Sequence, residues 1–412
     1  MPSGIRVVTE RMPEARSVSV GVWVDVGSRD EPDELAGVSH FLEHLLFKGT
    51  EVRSARSIAV SVDAVGGELD AFTTRETTAF SVRLPADRLS FGLELLTDVV
   101  SAPALRPHEV EAEREVILDE ILMSEETPDD VAMMALNEAL FPGHPLGRET
   151  LGSAETVSAL SRDSIAAFHA ERYEPTALVV AAAGDLQHDR VVDALADFSL
   201  NPSPRERPQR TPPEDRMVPL TVVERPSEQV HVVLGWRGVD HDHPDRYALW
   251  IANHVLGGGM SSRLFQEVRE ERGLAYTVYS ATTTYRGAGS VVVYAGCAPG
   301  RLGELVDVVD SVIDELVERG ITAEEHAVAL GGLEGSLLLG LEDSGSRMAR
   351  LGGSEITRGE VIPVDELLRR YRTVSTEDVN RVVAEILGGP RSVVVVGPVD
   401  DADPAIARAV RG

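Results

Sequence analysis

Cysteine and lysine are almost missing from this chain of 412 residues, and the lack of cysteine excludes whole classes of site. Cys297 is the only cysteine, so an internal disulfide is impossible and a metal cluster held by several thiolates is excluded. Any bound metal must therefore use histidine and carboxylate ligands. Lys48 is the only lysine, and we ascribe this preference for arginine mainly to genome composition.

Long apolar runs are also absent. No stretch approaches the ~18 to 20 apolar residues of a membrane span, and the start, MPSGIRVVTERMP, lacks the apolar core of a signal peptide. These absences predict a soluble, cytoplasmic protein with no membrane partner. The net charge of −29 argues against a nucleic-acid partner, because phosphate binding depends on clustered lysine and arginine. The acidity predicts a solvated surface, with attraction of basic peptides as a second interpretation.

The length of the chain predicts two domains, since single hydrophobic cores stop growing at about 250–300 residues. A hydrophobic fraction of 43% is sufficient to bury both cores. Residues 201–217 begin with a proline-rich, charged stretch that cannot continue a helix or a central strand. They predict a linker between a first unit, residues 1–200, and a second unit, residues 218–412.

The two halves repeat each other. One and the same offset along the chain relates three pairs of landmarks: Gly21 and Gly235, His40 and His254, and Ser161 and Ser375. Each of these serines precedes a helical apolar pattern, as an N-cap does, and Asp378 adds the features of a capping box. Both halves then close with a strand of small apolar residues, LVVAAAG in the first and SVVVVG in the second. Landmarks at one spacing indicate a duplicated unit.

Strand and helix patterns alternate within each half. The segments SVSVGVWVDV and TAFSVRL alternate apolar and polar residues, which is typical of half-buried strands in antiparallel sheets. We therefore predict an α+β fold of two duplicated α/β units. Each unit is expected to have a largely antiparallel sheet with helices packed on one face.

The segment His40-Phe-Leu-Glu43-His44 lies in a stretch with helical apolar spacing. On a helix, His40, Glu43 and His44 fall within an arc of roughly 100°. Imidazoles four residues apart can share a zinc ion, and a carboxylate beside them can take a proton from bound water. This HxxEH arrangement is the inverted form of HExxH. The segment therefore predicts a zinc site with Glu43 as general base, and the alternative is a chance match of the motif.

A catalytic zinc site needs a third protein ligand. A helix that begins at Pro107 places Glu113 and Glu120 on one face, since they are seven residues apart. Glu120 is the candidate ligand, and Glu113 is the candidate for orienting a ligand or supporting its helix. The alternative is an ordinary acidic helix whose carboxylates are solvated.

Nearly the whole chain resembles the pitrilysin or insulinase-type zinc peptidases, family M16, and most closely their processing-peptidase branch. The motifs that carry this resemblance are residues 27–50, from Gly-Ser-Arg-Asp-Glu through HFLEHLLFKGT, and the segment from Glu113 to Glu120. The resemblance implies a processing-peptidase-like fold and one Zn²⁺ per chain, bound by His40, His44 and Glu120. It also implies that Glu43 is the base, that Glu113 is the supporting acid, and that the substrates are unfolded or extended peptides.

The second half resembles the C-terminal motif of the same family. Residues 257–265, GGGMSSRLF, are followed by Arg269 and, seven residues later, Tyr276, a pair that grips the substrate in the family. Both side chains are suitable donors to a peptide carbonyl or to a developing oxyanion. Apart from the resemblance, the alternative is an arginine and a tyrosine on an ordinary amphipathic helix and the strand that follows it. At the position that corresponds to HxxEH, the second half has His254-Val-Leu-Gly-Gly, which lacks the glutamate and the second histidine. The second half therefore cannot hold this zinc. His254 is predicted to be a packing or hydrogen-bonding remnant.

Residues 66–74, GGELDAFTT, resemble the family's edge strand, to which a peptide substrate adds as a further β-strand. The resemblance implies that Asp70, Ala71 and Phe72 contact the substrate. Asp70 stands where the family usually has asparagine. An ionised carboxylate accepts hydrogen bonds but cannot donate them, so the usual contact to the substrate backbone is in question.

Full-length members of the family contain four such units, whereas this chain contains two. The resemblance therefore implies a homodimer whose active site is shared between subunits. A heterodimer is the alternative assembly. The alternative function is that of a non-catalytic structural or partner subunit in a processing-peptidase-like complex.

Overall fold

The computed structural model describes residues 1–198, 200, 209–399 and 403–409, so residues 201–208 of the expected linker lie outside the described part. The strands are β1 Arg6–Arg11, β2 Ser17–Val24, β3 Glu68–Thr73, β4 Thr78–Pro85, β5 Leu178–Gly184, β6 Leu220–Glu224, β7 Val230–Arg237, β8 Ala275–Tyr285, β9 Ala288–Cys297 and β10 Ser392–Gly397. The helices of the first half are α1 Val38–Leu46, α2 Ala55–Asp63, α3 Leu89–Ser101, α4 Pro107–Glu126, α5 Pro128–Leu140, α6 Ala154–Ala159, α7 Arg162–Arg172 and α8 His188–Ala194. The later helices are α9 Arg246–Asn253, α10 Leu302–Arg319, α11 Ala323–Gly340, α12 Ser344–Arg358, α13 Val364–Thr373, α14 Thr376–Ile386 and α15 Pro404–Ala409.

The chain forms two compact units, and neither is continuous in sequence. Unit 1 consists of Met1–Leu122, Glu149–Arg210 and Leu338–Val361, and unit 2 consists of Met123–Arg148, Thr211–Leu337 and Ile362–Gly412. Each unit thus includes a helix from the opposite half of the chain. Helix α12 belongs to unit 1, and helix α5 belongs to unit 2.

Each unit contains one five-stranded mixed sheet. The strand order is β1-β5-β2-β4-β3 in unit 1 and β6-β10-β7-β9-β8 in unit 2. In both sheets the first pair of strands is parallel and every other pair is antiparallel. The predicted fold class, two sheet-plus-helix units, is confirmed.

The predicted duplication is visible residue by residue. Helix α14 repeats α7 with both ends displaced by the offset that relates Ser161 to Ser375, and β10 begins at the same displacement from β5. The predicted N-caps are also confirmed. The hydroxyl of Ser161 accepts a hydrogen bond from the Ser164 amide at 3.0 Å, and that of Ser375 accepts from the Asp378 amide at 3.1 Å. A cap of this kind stabilises a helix by ~1 kcal/mol.

The sheet of unit 1 is covered on both faces. One face packs against a large core to which α1, α3, α4 and α7 contribute. On the other face, Trp23 packs against Met348 and Leu351 of α12. The alternating pattern predicted a half-buried β2, and this was wrong, because α12 covers the second face and every residue after Ser17 is buried.

The sheet of unit 2 is covered in the same way. Leu136 and Leu140 of α5 pack with Val233 of β7 and Val394 of β10 on one face of that sheet. The helix and the strand approach closely at Gly235, where an added Cβ would lie 2.7 Å from a methyl carbon of Leu136. No helix within the described ranges is both long enough and apolar enough to span a bilayer.

Candidate metal centre

Helix α1 has a sharply defined start. Gly37 has a φ of 94°, a conformation that side chains other than glycine rarely adopt. The two carboxylate oxygens of Glu31 accept hydrogen bonds from the amides of Gly37 at 2.8 Å and Ser39 at 2.7 Å. This buried carboxylate takes the place of an N-cap side chain and complements the positive end of the helix dipole.

The loop before α1 is held by Arg210. Its guanidinium donates to both oxygens of Asp30 at 2.8 and 2.6 Å, and to Asp25 at 2.8 Å. Asp30 in turn accepts a hydrogen bond from the amide of Gly27. Sequence reasoning missed Arg210 because it lies within the expected linker, and it likewise gave Glu31 no capping role.

The apolar side of α1 packs into the core, and this leaves its polar residues on the side that faces away from the core. Phe41, Leu42, Leu45 and Leu46 are almost completely buried in the core of unit 1. His40, Glu43 and His44 occupy the remaining arc of the helix and are partly exposed. The predicted helix over HxxEH is confirmed, although it begins at Val38 rather than at the start of the apolar pattern.

Helix α4 supplies two carboxylates, as the seven-residue spacing predicted. Val110, Ile117 and Ile121 anchor the helix in the core. The side chain of Glu113 is only 7% exposed, whereas that of Glu120 is 39% exposed. The two residues therefore suit different roles, one as a buried support and one at the surface of the site.

His40, His44 and Glu120 converge on one point. One ligand atom from each lies within 4.8 Å of the other two. The Nε2 atoms of His40 and His44 are 3.7 and 3.6 Å from Oε2 of Glu120, which is too long for a hydrogen bond. Tetrahedral ligands at about 2.0–2.1 Å from zinc are separated by about 3.4 Å, so this donor set fits a zinc ion.

The electrostatics of His40 also fit a metal ligand. Burial and the nearby His44 ring lower the pKa of His40 to about 4. The imidazole is therefore neutral near pH 7 and has a free lone pair, as metal binding requires. Its Nδ1 atom is buried and has no hydrogen-bond partner among the described residues.

His44 is held by Glu113, which is in turn held by Lys48. Nδ1 of His44 lies 3.1 Å from Oε2 of Glu113, so the two side chains are within hydrogen-bond distance. Nζ of Lys48 lies 2.6 Å from the other carboxylate oxygen, Oε1. Sequence reasoning did not assign a role to Lys48, although it is the only lysine in the chain.

Glu43 lies between the two histidines on α1 and has a perturbed carboxyl group. Its pKa is raised above the ordinary value, chiefly by burial, while the Thr73 hydroxyl and His44 oppose the shift and Glu120 and Asp70 add to it. Its Oε2 atom is buried and makes no hydrogen bond within the described part of the chain. A carboxylate with these properties suits a general base.

The expected edge strand is β3. It pairs with β4 and lies at the end of the sheet order, so its outer edge carries no further strand among the described residues. Asp70 and Phe72 are exposed, whereas Ala71 and Thr73 alternate with them and are partly buried. Unpaired edges of this kind accept an added strand.

Arg269 and Tyr276 lie together in unit 2. The Arg269 guanidinium is 4.6 Å from the centre of the Tyr276 ring and 4.8 Å from that of Phe265. Tyr276 is 78% exposed. The structure thus brings the expected pair into one cation–π stack at the surface of its unit.

The position that corresponds to HxxEH in unit 2 forms a π-helical segment, His254–Gly258. The ring of His254 packs against Gly332 of α11, where an added Cβ would lie 2.6 Å from it. Burial lowers the pKa of His254. These contacts agree with a packing remnant.

Two family profiles match the chain. Residues 6–154 match the family described as Insulinase (Peptidase family M16), and residues 159–333 match the Peptidase M16 inactive domain. The chain belongs to peptidase family M16. The resemblance stated from the motifs is confirmed, and the name of the second profile agrees with the loss of HxxEH in that half.

Relatives with similar sequences carry the same family function in their names. An uncharacterized zinc protease of Streptomyces coelicolor is 42% identical over 97% of this chain and 89% of that protein. One from Mycobacterium tuberculosis is 44% identical, with 97% and 92% covered, and YmxG of Bacillus subtilis is 35% identical, with 96% and 97% covered. The names of these relatives support a metalloprotease at the level of the family.

Solved structures show the same fold at lower identity. A protease from Helicobacter pylori superposes with a TM-score of 0.91 at 22% identity, covering 96% of this chain and 97% of that one. A peptidase M16 inactive domain from Pseudomonas fluorescens gives 0.89 at 23% identity, with 97% of each chain covered. At these identities the likeness concerns the fold alone.

Proposed function

We propose that this chain is a zinc metalloendopeptidase that hydrolyses unfolded or extended peptides. The observation that carries the proposal is the convergence of His40, His44 and Glu120 beside Glu43. Three ligands of the types that zinc prefers meet at one point, and a buried carboxylate with a raised pKa lies next to them.

One zinc ion per chain is the proposed cofactor, held by His40, His44 and Glu120. When bound, zinc supplies a Lewis acid that polarises the scissile carbonyl and acidifies water. Glu113 orients His44, because its carboxylate oxygen lies 3.1 Å from Nδ1 and leaves Nε2 for the metal.

Glu43 is the proposed general base. It takes a proton from the attacking water at a carboxylate oxygen and later delivers that proton to the nitrogen of the leaving amine. The raised pKa supports this double role, because a carboxyl group whose pKa is closer to neutral returns a proton more readily than an ordinary glutamate.

The proposed substrate runs along β3 as an added strand. Main-chain hydrogen bonding at a sheet edge selects extended peptides over folded ones. Asp70, Ala71 and Phe72 would contact it there, and Phe72 offers an exposed ring to an apolar side chain. Arg269 and Tyr276 are the proposed donors to the substrate from unit 2, supported by their stacking and by the exposure of Tyr276.

The test is metal analysis of the purified chain combined with cleavage of a random peptide mixture. We expect one zinc per chain, loss of cleavage after treatment with a chelator, and recovery when zinc is added back. Zinc-free protein that still cleaves peptides would contradict the proposal. Zinc-loaded protein that cleaves none would instead favour the non-catalytic subunit.

We also propose a homodimer in which the zinc site of one subunit works with Arg269 and Tyr276 of the other. The support is that each chain carries both motifs, in separate compact units. Glu43→Gln and Arg269→Ala variants, mixed under subunit exchange, should regain part of the wild-type activity. No recovery in mixed dimers would show that each chain has a complete site of its own.

A further inference from the structure

Lys48 lies at the C-terminal end of the helix that carries the metal-binding histidines. Helix α1 ends at Leu46, and the amide of Lys48 donates to the carbonyl of Leu45 at 3.0 Å. A cation at this position interacts favourably with the negative end of the helix dipole. Its side chain then crosses to α4, where Nζ is 2.6 Å from Oε1 of Glu113.

The carboxylate of Glu113 is divided between two partners. Oε1 faces the ammonium of Lys48, and Oε2 faces Nδ1 of His44 at 3.1 Å. Because the Glu113 side chain is only 7% exposed, water supplies little of the solvation that this charge requires. The charge depends on these two contacts, and loss of the ammonium would leave a buried carboxylate with a single partner.

The direction of the His44 ring depends on this carboxylate. A carboxylate that accepts a hydrogen bond from Nδ1–H places the proton on Nδ1 and leaves the lone pair of Nε2 for the metal. Nε2 of His44 is the atom that lies 3.6 Å from Glu120. Whatever holds Glu113 in place therefore also holds the second metal ligand.

The Lys48–Glu113 pair also joins the two helices that provide all three ligands. His40 and His44 are on α1, and Glu120 is on α4, together with Glu113. An ion pair between the end of α1 and the middle of α4 limits sliding of one helix against the other. Displacements of a few tenths of an ångström matter for a metal site.

We propose that Lys48 is a positioning residue of the metal centre, which sets zinc affinity through Glu113 and His44 without contacting the metal. This inference rests on the proposed function, because it presumes that the three ligands hold zinc. The residue type supports it as well. A lysine ammonium is a compact charge that can engage one carboxylate oxygen, whereas an arginine fork favours both oxygens and would compete with His44.

The experiment measures zinc affinity by competition with a chromophoric chelator at one pH. We expect Lys48→Met to bind zinc about tenfold more weakly than wild type, at the lower end of the 10–100-fold effects of outer-shell partners. Lys48→Arg should also bind more weakly, because charge alone does not preserve the contact between Glu113 and His44. Arg88→Met removes an exposed cation from the same unit and should leave zinc affinity unchanged.

Chemical rescue separates the missing ammonium from a folding defect. Lys48→Cys should show the weakened affinity, and alkylation with 2-bromoethylamine rebuilds an ammonium of similar length at that position. Cys297 is buried, so the new thiol reacts preferentially. Recovery of affinity after alkylation supports the proposal, and no recovery overturns it.

The outcomes also separate this inference from the proposed function. Equal zinc affinity of wild type and Lys48→Met would overturn the role of Lys48 and leave the zinc site intact. An equal loss of zinc affinity in Arg88→Met would likewise overturn it, because the loss of any positive charge from the unit would then weaken zinc binding. A wild-type chain that binds no zinc would overturn both proposals.

Discussion

Unit 1 and unit 2 share a strand order and a parallel first pair, yet the ligand cluster lies in unit 1. At the offset that relates His40 to His254, Glu43 and His44 of unit 1 correspond to Gly257 and Gly258 of unit 2. Only the first histidine of the motif survives there. The sheet is therefore the common scaffold, and a few side chains on α1 and α4 distinguish the site of unit 1 from the corresponding region of unit 2.

The backbone of unit 2 has also changed around the lost site. Residues 254–258 are π-helical rather than α-helical, and Gly257 lies so close to the backbone nitrogen of Ser280 that a Cβ would collide with it. Glu334, the counterpart of Glu120, is bound to Arg372 at 2.7 and 2.8 Å. His254 and Glu334, the counterparts of His40 and Glu120, are thus engaged in packing and ion pairing.

The comparison teaches that the duplicated units have divided their roles. Unit 1 carries the proposed metal ligands and the proposed base, and unit 2 displays the stacked Arg269 and Tyr276. Substitutions at the residues that differ between the units should therefore change activity, zinc binding or stability by different amounts.

The largest expected effect is that of Glu43→Gln, which removes the base while leaving the metal ligands. Turnover should fall by about 100- to 10,000-fold, the usual contribution of a general base. Zinc content should remain at the wild-type level, because Glu43 is not a ligand. Steady-state kinetics and metal analysis check both points, with the exposed Glu34→Gln on the same unit as control. Unchanged turnover in Glu43→Gln would show that Glu43 is not the base, and the proposed difference in chemistry between the units would then lack this residue.

Tyr276→Phe in unit 2 should lower kcat by about 100-fold, the lower end of the effect of losing one donor to an oxyanion. The ring and its stacking with Arg269 remain, so the change reports on the hydroxyl alone. Tyr279→Phe on the same strand is the matched control. Its ring is stacked on Tyr294, and kcat should hardly change. Equal kinetics for the two variants would show that unit 2 contributes no donor through Tyr276.

Unit 2 should not become a metal site when the motif is restored. Gly257→Glu with Gly258→His is expected to add no zinc, because the backbone is too close to Ser280 and Glu334 is bound to Arg372. The collision should lower the free energy of unfolding by about 1–3 kcal/mol, a usual cost of overpacking. Denaturant unfolding and metal analysis measure the two quantities.

The reverse exchange sharpens the same comparison. Glu43→Gly with His44→Gly copies unit 2 into unit 1 and should abolish zinc binding. A second zinc ion bound by the Gly257→Glu and Gly258→His variant would contradict the prediction that the nearby backbone of Ser280 prevents metal binding in unit 2.

The smallest expected effect is that of Asp70→Asn on the edge strand of unit 1. The negative charge of Asp70 contributes to the raised pKa of Glu43, so its removal should lower that pKa. Glu43 must be ionised to act as a base, and the acid limb of kcat/KM should therefore move to lower pH. The amide also adds a donor, which should lower KM by about 2- to 10-fold, the equivalent of one hydrogen bond.

A matched control for this variant lies two residues earlier on β3. Glu68→Gln removes a charge from an exposed position on the same strand and should leave the pH profile unchanged. An identical pH profile for Asp70→Asn and wild type would show that Asp70 does not act on Glu43.

Several features of the fold and site could be predicted because their signals are local. The strands β5 and β10 have the bounds of the runs LVVAAAG and SVVVVG, and Ser161 and Ser375 cap helices as expected. The spacing within HxxEH places its three polar residues on one side of α1. Each of these depends on contacts over only a few residues.

Other features could not be predicted because they depend on residues far apart in sequence. Helix α12 covers the sheet of unit 1, although it lies within the half of the chain that forms most of unit 2. The capping of α1 by Glu31 and the anchoring of its loop by Arg210 were likewise missed. No local pattern distinguishes these charged residues from solvated ones on the surface.

By itself, the sequence determined that the chain contains two copies of one fold and that one copy carries a zinc motif. Periodicity, caps and motif spacing are properties of short segments, and they persist in any arrangement of those segments. Only the tertiary structure decided that Glu120 meets the two histidines, that Glu113 lies between His44 and Lys48, and that Arg269 stacks on Tyr276. Those contacts exist because the packing of buried apolar faces places the elements at particular distances, and that packing cannot be derived from any one segment.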